Sequence, residues 1–364
     1  MNNRIIACGI MMILMWAGYL SYGAWGQGDA PSTPPASYVV PYFAPPSNME
    51  LCGEPVPLDD SDVWERFDRE FTIVVHSHSQ VFLWLKRMER YLPWIENQLA
   101  VNKLPDDLKY VAVAESDLML QAVSPAGAAG PWQFISETGM RYGLSKSKDI
   151  DERYDFERAT ESAFSYLKDL YGMFNNWALA IAAYNCGENR VQSEINRQKS
   201  NSYYALKLPL ETERYIFRIL AIKEVLSHPE RYGYSLPGGS GYRPLKFDLA
   251  EVSLPYPMPV YMVAGAGDLS YRDFKRLNPA YISEKIPSGS HVLKVPAGRG
   301  NAFKSRMEQT LASYQPTVLT HKVGRGETLT GIAAQYEVST HNLREWNQLN
   351  GDTLLVDQLI KIYK

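Results

Sequence analysis

Apolar residues recur three and four positions apart through nearly all of the stretch from Val63 to about Tyr232. The pattern runs through "WERFDREF", "SQVFLWLKRMERYLPWIENQLAV", "LPDDLKYVAVAES", "DFERATESAFSYLKDLYGMF", "NWALAIAAYN" and "ETERYIFRILAIKEVLSH". That spacing predicts amphipathic helices, and no strand-like alternation interrupts it, so residues 61–235 read as one all-α domain. "SLPGGSGYRP" then resets the chain. The C-terminal residues 319–364 alternate differently: "HKV" and "LIKIY" read as strands, Leu329, Ile332 and Ala333 have helical spacing, and Ser339 suits the cap of a second helix over "THNLREWN". Strand, helix, helix, strand makes a small α+β unit. Residues 245–298 repeat the second half of that plan, "LSYRDFKRLNP" against "VSTHNLREWNQ" and "HVLKVP" against "LIKIYK". Between the two units, "NAFKSRMEQTLASY" reads as a partly helical spacer.

One predicted helix ends on a charge. With Pro105 as a first helical position, and Asp106 and Asp107 at the positive end of the helix dipole, Leu108, Val111, Ala112 and Glu115 fall on one face. Glu115 is thus carried on the core-facing stripe and near the negative end of the dipole. Desolvation and dipole both favour the protonated carboxyl, the state a general acid needs. A Glu that merely marks a helix end is the alternative that the neighbouring residues must overturn.

The neighbours are unusual. "SPAGAAGPWQF", from Ser124 to Phe134, packs glycines and alanines that let a polymer approach the backbone, with the amide of Gln133 and the ring of Phe134 at hand; a tight loop with a buried aromatic is the plainer reading. In "NWALAIAAYNCG", Trp177, Ala180, Ile181 and Tyr184 share a helix face and Gly187 suits the C-terminal cap.

The two ends of the chain add context. "MNNR" followed by "IIACGIMMILMWAGYL" and small residues predicts a signal peptide or N-terminal anchor over residues 1–26, and hence export. Residues 27–60 are rich in Pro and Ser and read as an extended linker. Cys8 lies at the start of the apolar run, the wrong place for lipid attachment. Cys52 and Cys186 read as free thiols in preference to a disulfide. A formal net charge of −3 gives no reason to expect nucleic acid. His76 and His78 have no third metal ligand signposted nearby and read as packing or surface residues.

Four motifs in order resemble the lysozyme-like catalytic domain of lytic transglycosylases, in particular the membrane-bound murein transglycosylase D type: "ESDL" at Glu115, "SPAGAAGPWQF", "AIAAYNCGENRV" from Ala180 to Val191, and "ETERY" ending at Tyr215. Residues 319–364 resemble LysM modules along their whole length, with "VDQ" where that family usually has Pro-Gly-Gln; residues 245–298 look like a degenerate LysM unit without the "GETL" turn. The resemblance implies a multidomain protein, an all-α lysozyme-like domain followed by small α+β (βααβ) LysM modules. It implies cleavage of the β-1,4 bond between N-acetylmuramic acid and N-acetylglucosamine in peptidoglycan, without water, leaving 1,6-anhydro-muramic acid ends.

By the same resemblance Glu115 is the catalytic acid and base. Ser116, Ser124, Gln133, Phe134, Tyr184, Asn185 and Tyr215 bind substrate, with Tyr184 reaching towards Glu115. Gly326, Glu327, Thr328, Leu329, Asp352 and Leu354 line a shallow LysM groove for N-acetylglucosamine, between the turns 326–329 and 350–355. No cofactor or metal is implied. Peptidoglycan strands are the expected partner, membrane contact is limited to the N-terminal segment, and the place is the bacterial envelope, the periplasm in particular. Ordinary glycosidases need two carboxylates, and Asp117, two residues on, would point away from Glu115 on a continuing helix. A hydrolytic muramidase and a non-catalytic wall-binding scaffold stay open as alternatives.

Overall fold

The structure, a computed structural model, describes residues 40–364. The expected signal or anchor, Cys8 and the first part of the Pro-rich segment lie outside the described residues. Among the described residues no helix is long and apolar enough to cross a membrane.

The helical domain is built on α1 (Ser61–Val75), α2 (His78–Val101), α3 (Lys109–Ser116), α4 (Ser136–Arg141), α5 (Phe156–Phe174), α6 (Trp177–Cys186), α7 (Glu188–Gln198) and α8 (Leu210–Ser227). Asp60 caps α1 by accepting from the amides of Asp62 and Val63, and the helix then buries Val63, Phe67, Phe71 and Val74 against α8. Asp155 caps α5, and Asn175 closes it in the left-handed conformation, φ 45°. Helix α6 differs from the amphipathic helix its sequence suggests. It is buried on every side from Trp177 to Ala183, because its alanines let α5, α7 and α8 pack close around it.

The chain before α1 departs from expectation. Residues 27–60 read as an extended linker, yet Met49, Leu51, Val56 and Leu58 belong to the helical core. A short hairpin, β1 (Glu50–Leu51) and β2 (Glu54–Pro55), presents them. Glu54 reaches the start of α6, where its carboxylate accepts from the Trp177 amide at 2.9 and 3.0 Å and from Asn176 Nδ2 at 2.8 Å. Proline fixes an extended backbone but says nothing of whether the apolar residues between prolines find a surface. Here they do.

The middle module pairs β3 (Phe247–Leu254) antiparallel with β6 (Gly289–Pro296), Phe247 opposite Pro296 and Leu254 opposite Gly289. Between them lie β4 (Met258–Pro259), α9 (Val260–Ala266), α10 (Tyr271–Leu277) and β5 (Lys285–Ile286), with β4 paired to β5. The expected spacer is a full helix, α11 (Gly300–Ser313), and belongs to this module. Its Phe303 and Met307 share a core with Ala250, Leu293 and Val295, and the Gly300 amide donates to Asp248 Oδ2 at 3.0 Å. Two buried side chains four apart are a thin signal in an otherwise polar helix, so the sequence alone underweights it.

The C-terminal module follows its expected order: β7 (Val318–Lys322), α12 (Leu329–Tyr336), α13 (Thr340–Asn347) and β8 (Leu359–Tyr363), with β7 and β8 antiparallel. Ser339 caps α13 by accepting from the Asn342 amide at 3.0 Å.

Because α11 completes the middle core, Phe303→Ala should destabilise that module by about 3–5 kcal/mol. Calorimetry of the whole chain should show one transition moving down while that of the helical domain stays in place.

Candidate active site

Glu115 stands in the last turn of α3, where the chain turns sharply through two left-handed residues, Asp117 (φ 57°) and Leu118 (φ 59°). The helix does not continue, so Asp117 is not placed by helical geometry. Trp84 Nε1 donates to its carboxylate at 2.7 Å and Arg87 to its carbonyl at 3.0 Å, which pins it to α2. Glu115 instead opens into a cleft of about 900 Å³ bounded by α3, the 124–138 segment, α5, α6 and α8.

Its carboxyl is pushed up to about 7 from 4.5. Burial is the main cause and the nearby Glu211 charge adds to it, while the Tyr215 hydroxyl and the Arg218 charge pull the other way. Tyr215, buried on α8, donates a short hydrogen bond to Glu115 Oε1. Glu211, Tyr215 and Arg218 sit at i, i+4 and i+7 on α8, one face presented to the acid.

Tyr184 lies on the other flank. Its hydroxyl donates to the Trp132 carbonyl at 2.7 Å, and the residue lines the same cleft as Glu115. Burial first, then the Glu115 charge, holds both tyrosines well above their ordinary pKa, so each keeps its proton.

The glycine- and alanine-rich segment folds into a tight loop with bridges Val123 to Ala129 and Ala129 to Phe134. Gly130, φ 85°, passes so close to the Arg153 carbonyl that a Cβ would lie 1.8 Å from its oxygen, so only glycine fits. Gln133 Nε2 is committed to the Ala122 and Gly130 carbonyls at 3.1 and 2.8 Å, which leaves its oxygen to meet a ligand. Ser124 Oγ accepts from the Ala128 amide at 3.0 Å, and Asn185 Oδ1 accepts from Thr212 at 2.7 Å; both residues line the cleft.

Two residues expected to contact substrate also support the loop. Ser116 is buried and donates to the Pro131 carbonyl at 2.8 Å, because the residue after Glu115 turns about 100° round the helix into the loop. Phe134, at 2% exposure, lines the cleft with its ring edge-on to Tyr184. Both hold the loop against its neighbours.

Sequence reasoning missed Arg153 and Asp151. Arg153 Nη1 donates to the Gly127 and Phe134 carbonyls, both at 2.9 Å, and its Nε and Nη2 donate to Asp151 at 2.9 and 2.6 Å. This buried pair supports the loop from below, and nothing in "DIDERYDF" announces it. Glu211 and Arg218 were also missed, although their spacing about Tyr215 marked them.

Other carboxylates border the cleft. Glu188 accepts from Tyr166 at 2.8 Å and Arg141 at 3.0 Å; burial raises its pKa, but the hydrogen bonds from the backbone, Tyr166 and Arg141 outweigh that and hold it below the usual range. Glu137 and Glu211 also line the space. Among the described residues no group of His, Cys, Asp or Glu is arranged to hold a metal. His78 Nδ1 lies 3.0 Å from the Tyr234 hydroxyl, and Cys52 and Cys186 are free thiols.

In the C-terminal module several residues expected to bind glycan are engaged internally. Leu329 is core, Leu354 packs on that core, and Thr328 caps α12. Glu327 accepts from the Gly324 amide at 2.6 Å and pairs with His321, and Asp352 pairs with Arg344 at 2.7 Å. Gly326 turns the first loop at φ 84°. What this face offers a ligand is the backbone of two turns and the exposed side chains of Leu355 and Val356.

Three family models match this chain: a transglycosylase SLT domain at residues 93–207, the LysM-like domain of lytic transglycosylase MltD at 248–311, and a LysM domain at 321–362. The membrane-bound lytic murein transglycosylase D of Escherichia coli K12 is 32% identical over 292 residues, 76% of this chain. The chain spans 64% of that relative's length. A putative tributyltin chloride resistance protein of an Alteromonas species is 32% identical over 122 residues, covering 33% of this chain and 59% of its own. The crystal structure of the soluble lytic transglycosylase SLT70 of Escherichia coli aligns with a TM-score of 0.34 at 21% identity, covering 47% of this chain and 31% of that one, too loose a fit to add to the likeness.

The raised pKa fixes a sign for stability. A folded-state pKa above the unfolded value gives stability that is complete below about 4.5 and lost as pH rises through about 7. Glu115→Gln, which cannot ionise, should therefore match the parent protein near pH 4 and exceed it by about 1–3 kcal/mol near pH 8, read by denaturant unfolding.

Proposed function

We propose that this chain, which carries a transglycosylase SLT domain followed by two LysM-type modules, is a lytic transglycosylase of peptidoglycan. One observation carries the reading: Glu115, its pKa pushed up to about 7, lines a cleft of about 900 Å³, with Tyr215 fixing one carboxyl oxygen.

Glu115 protonates the glycosidic oxygen between N-acetylmuramic acid and N-acetylglucosamine as the C1–O bond breaks. The muramic C6 hydroxyl of the same sugar then attacks C1, and the Glu115 carboxylate takes its proton back. A 1,6-anhydro bond forms, the leaving sugar gains its hydroxyl, and no water is consumed. Intramolecular attack draws on a high effective molarity, so a second carboxylate to activate water is not required. Glu188, ion-paired to Arg141, is poorly placed to be that base. Tyr184, Asn185, Ser124 and the Gln133 oxygen bind the sugars, and Tyr215 positions the acid. The C-terminal LysM module binds the glycan strand through its two turns. The apolar N-terminal run fits export, and the reaction belongs in the cell envelope, in the periplasm.

Mass spectrometry of fragments from purified peptidoglycan tests the chemistry. Anhydro ends should form with the parent protein and fall roughly 10²–10⁴-fold with Glu115→Gln. Reducing-end products would make the enzyme a hydrolase and turn attention to Glu137 and Glu211. Activity should decline as pH rises through about 7, where Glu115 loses its proton. Because the Tyr215 hydroxyl lowers that pKa, Tyr215→Phe should move the alkaline limb of the kcat profile to higher pH; an unmoved limb would assign it to another group.

A further inference from the structure

In the C-terminal module the turn before α12 and the turn before β8 are joined by the Asp357 amide to the Val323 carbonyl at 2.9 Å, and Leu355 and Val356 are left exposed at 72% and 58%. The middle module has the same two turns, residues 255–259 and 278–288. They are joined to each other by β4 and β5, Met258 opposite Ile286, and by the Val260 amide to the Glu284 carbonyl at 2.8 Å. Each also meets a neighbour. On the first, Trp346 Nε1 of the C-terminal module donates to the Pro255 carbonyl at 2.8 Å, and the Tyr256 and Tyr363 rings lie 4.2 Å apart.

The second turn pairs with the catalytic domain. Tyr281 bridges to Ile150, the Asp151 amide donates to the Ala280 carbonyl at 2.8 Å, and the Ile282 amide donates to the Asp149 carbonyl at 2.9 Å. Beside it Lys294, its side chain only 11% exposed, reaches from β6 to Asp155 at 3.0 Å and to Glu157, at the start of α5. Asn278 ties this turn to β6 through the Lys294 backbone, 2.8 Å in both directions.

We infer that the middle module is an intramolecular adaptor: its two turns dock on the neighbouring domains, and its 278–282 turn braces Asp151 and, through Arg153, the 124–134 loop of the catalytic cleft. Every link is a direct contact. Ala280 holds the Asp151 amide, the Asp151 carboxylate holds Arg153, and Arg153 holds the Gly127 and Phe134 carbonyls. Phe134 in turn packs on Tyr184. Arg153 and Lys294 are thus positioning residues. The effect on turnover rests on the cleft being the reacting site, but the bracing itself does not.

The test uses the full chain with Lys294→Glu, which opposes Asp155 and Glu157, and the charge exchange Glu157→Lys with Lys294→Glu. Three quantities are read: amide hydrogen exchange over 124–134, kcat and KM on soluble glycan fragments, and retention on insoluble sacculi. In Lys294→Glu, exchange over 124–134 should quicken and kcat should fall about ten-fold with KM little changed, since displacement of a distant support can cost as much as a hundred-fold. Retention on sacculi should be unchanged, and the exchange variant should recover much of both losses. If exchange rises over 278–286 while 124–134 and kcat stay as they were, the bracing is wrong. Loss of retention with kcat intact would make the module a glycan reader and overturn the adaptor. An inactive parent protein would sink the proposed chemistry alone, and quickened exchange over 124–134 would still support the bracing.

Discussion

A carboxylic acid at the C-terminal end of a helix keeps its proton near neutral pH only where water is held off and no strong counter-charge sits on it. Around Glu115 the balance is close. Burial and Glu211 push the pKa up, while Arg218 and the Tyr215 hydroxyl pull it down. Behind Arg218, α1 places the buried Glu70, 3.9 Å from it and 2.7 Å from Arg214. The packing of α1 on α8 thus sets the charges behind the acid.

The loop opposite is under a different constraint. Its residues 126–130 are all glycine or alanine. A segment so poor in side chains cannot hold its own shape. Its stiffness is supplied from outside: Ser116 on the Pro131 carbonyl, Tyr184 on Trp132, Arg153 on Gly127 and Phe134. Ser116, a substrate contact by motif, is buried as such a prop.

What the sequence made legible follows from period and from burial. The helical domain, the βααβ order and the placement of Glu115 on a core-facing stripe are all local patterns, readable within one or two turns. Met49 to Leu58 and α11 were not readable, because a few apolar residues among prolines or charges become core only when a distant surface receives them. Arg153 and Asp151 were hidden for the converse reason. A buried ion pair looks like any surface pair in sequence, and only the carbonyls it meets, some twenty residues upstream, give it a role. Tyr215 was legible in position but not in partner, since two tyrosines flank the acid and spacing cannot say which one reaches it.

The module order acquires a physical sense from these contacts. A binding module on a flexible tether raises the local concentration of glycan around the cleft but lets the cleft sample every bond within the tether's reach. Here Trp346 on Pro255, Tyr256 on Tyr363, and Lys148 on Glu337 across to the helical domain hold the C-terminal module against its neighbours. With the middle module as adaptor, the distance from bound sugar to Glu115 is set by packed protein. Under the proposed function, binding at one end would select which bond along the strand lies over the acid. Glu337 and Lys148 are both exposed, so that contact adds little energy by itself; the register rests on the aromatic pair and the backbone bridges, which do not fade with salt.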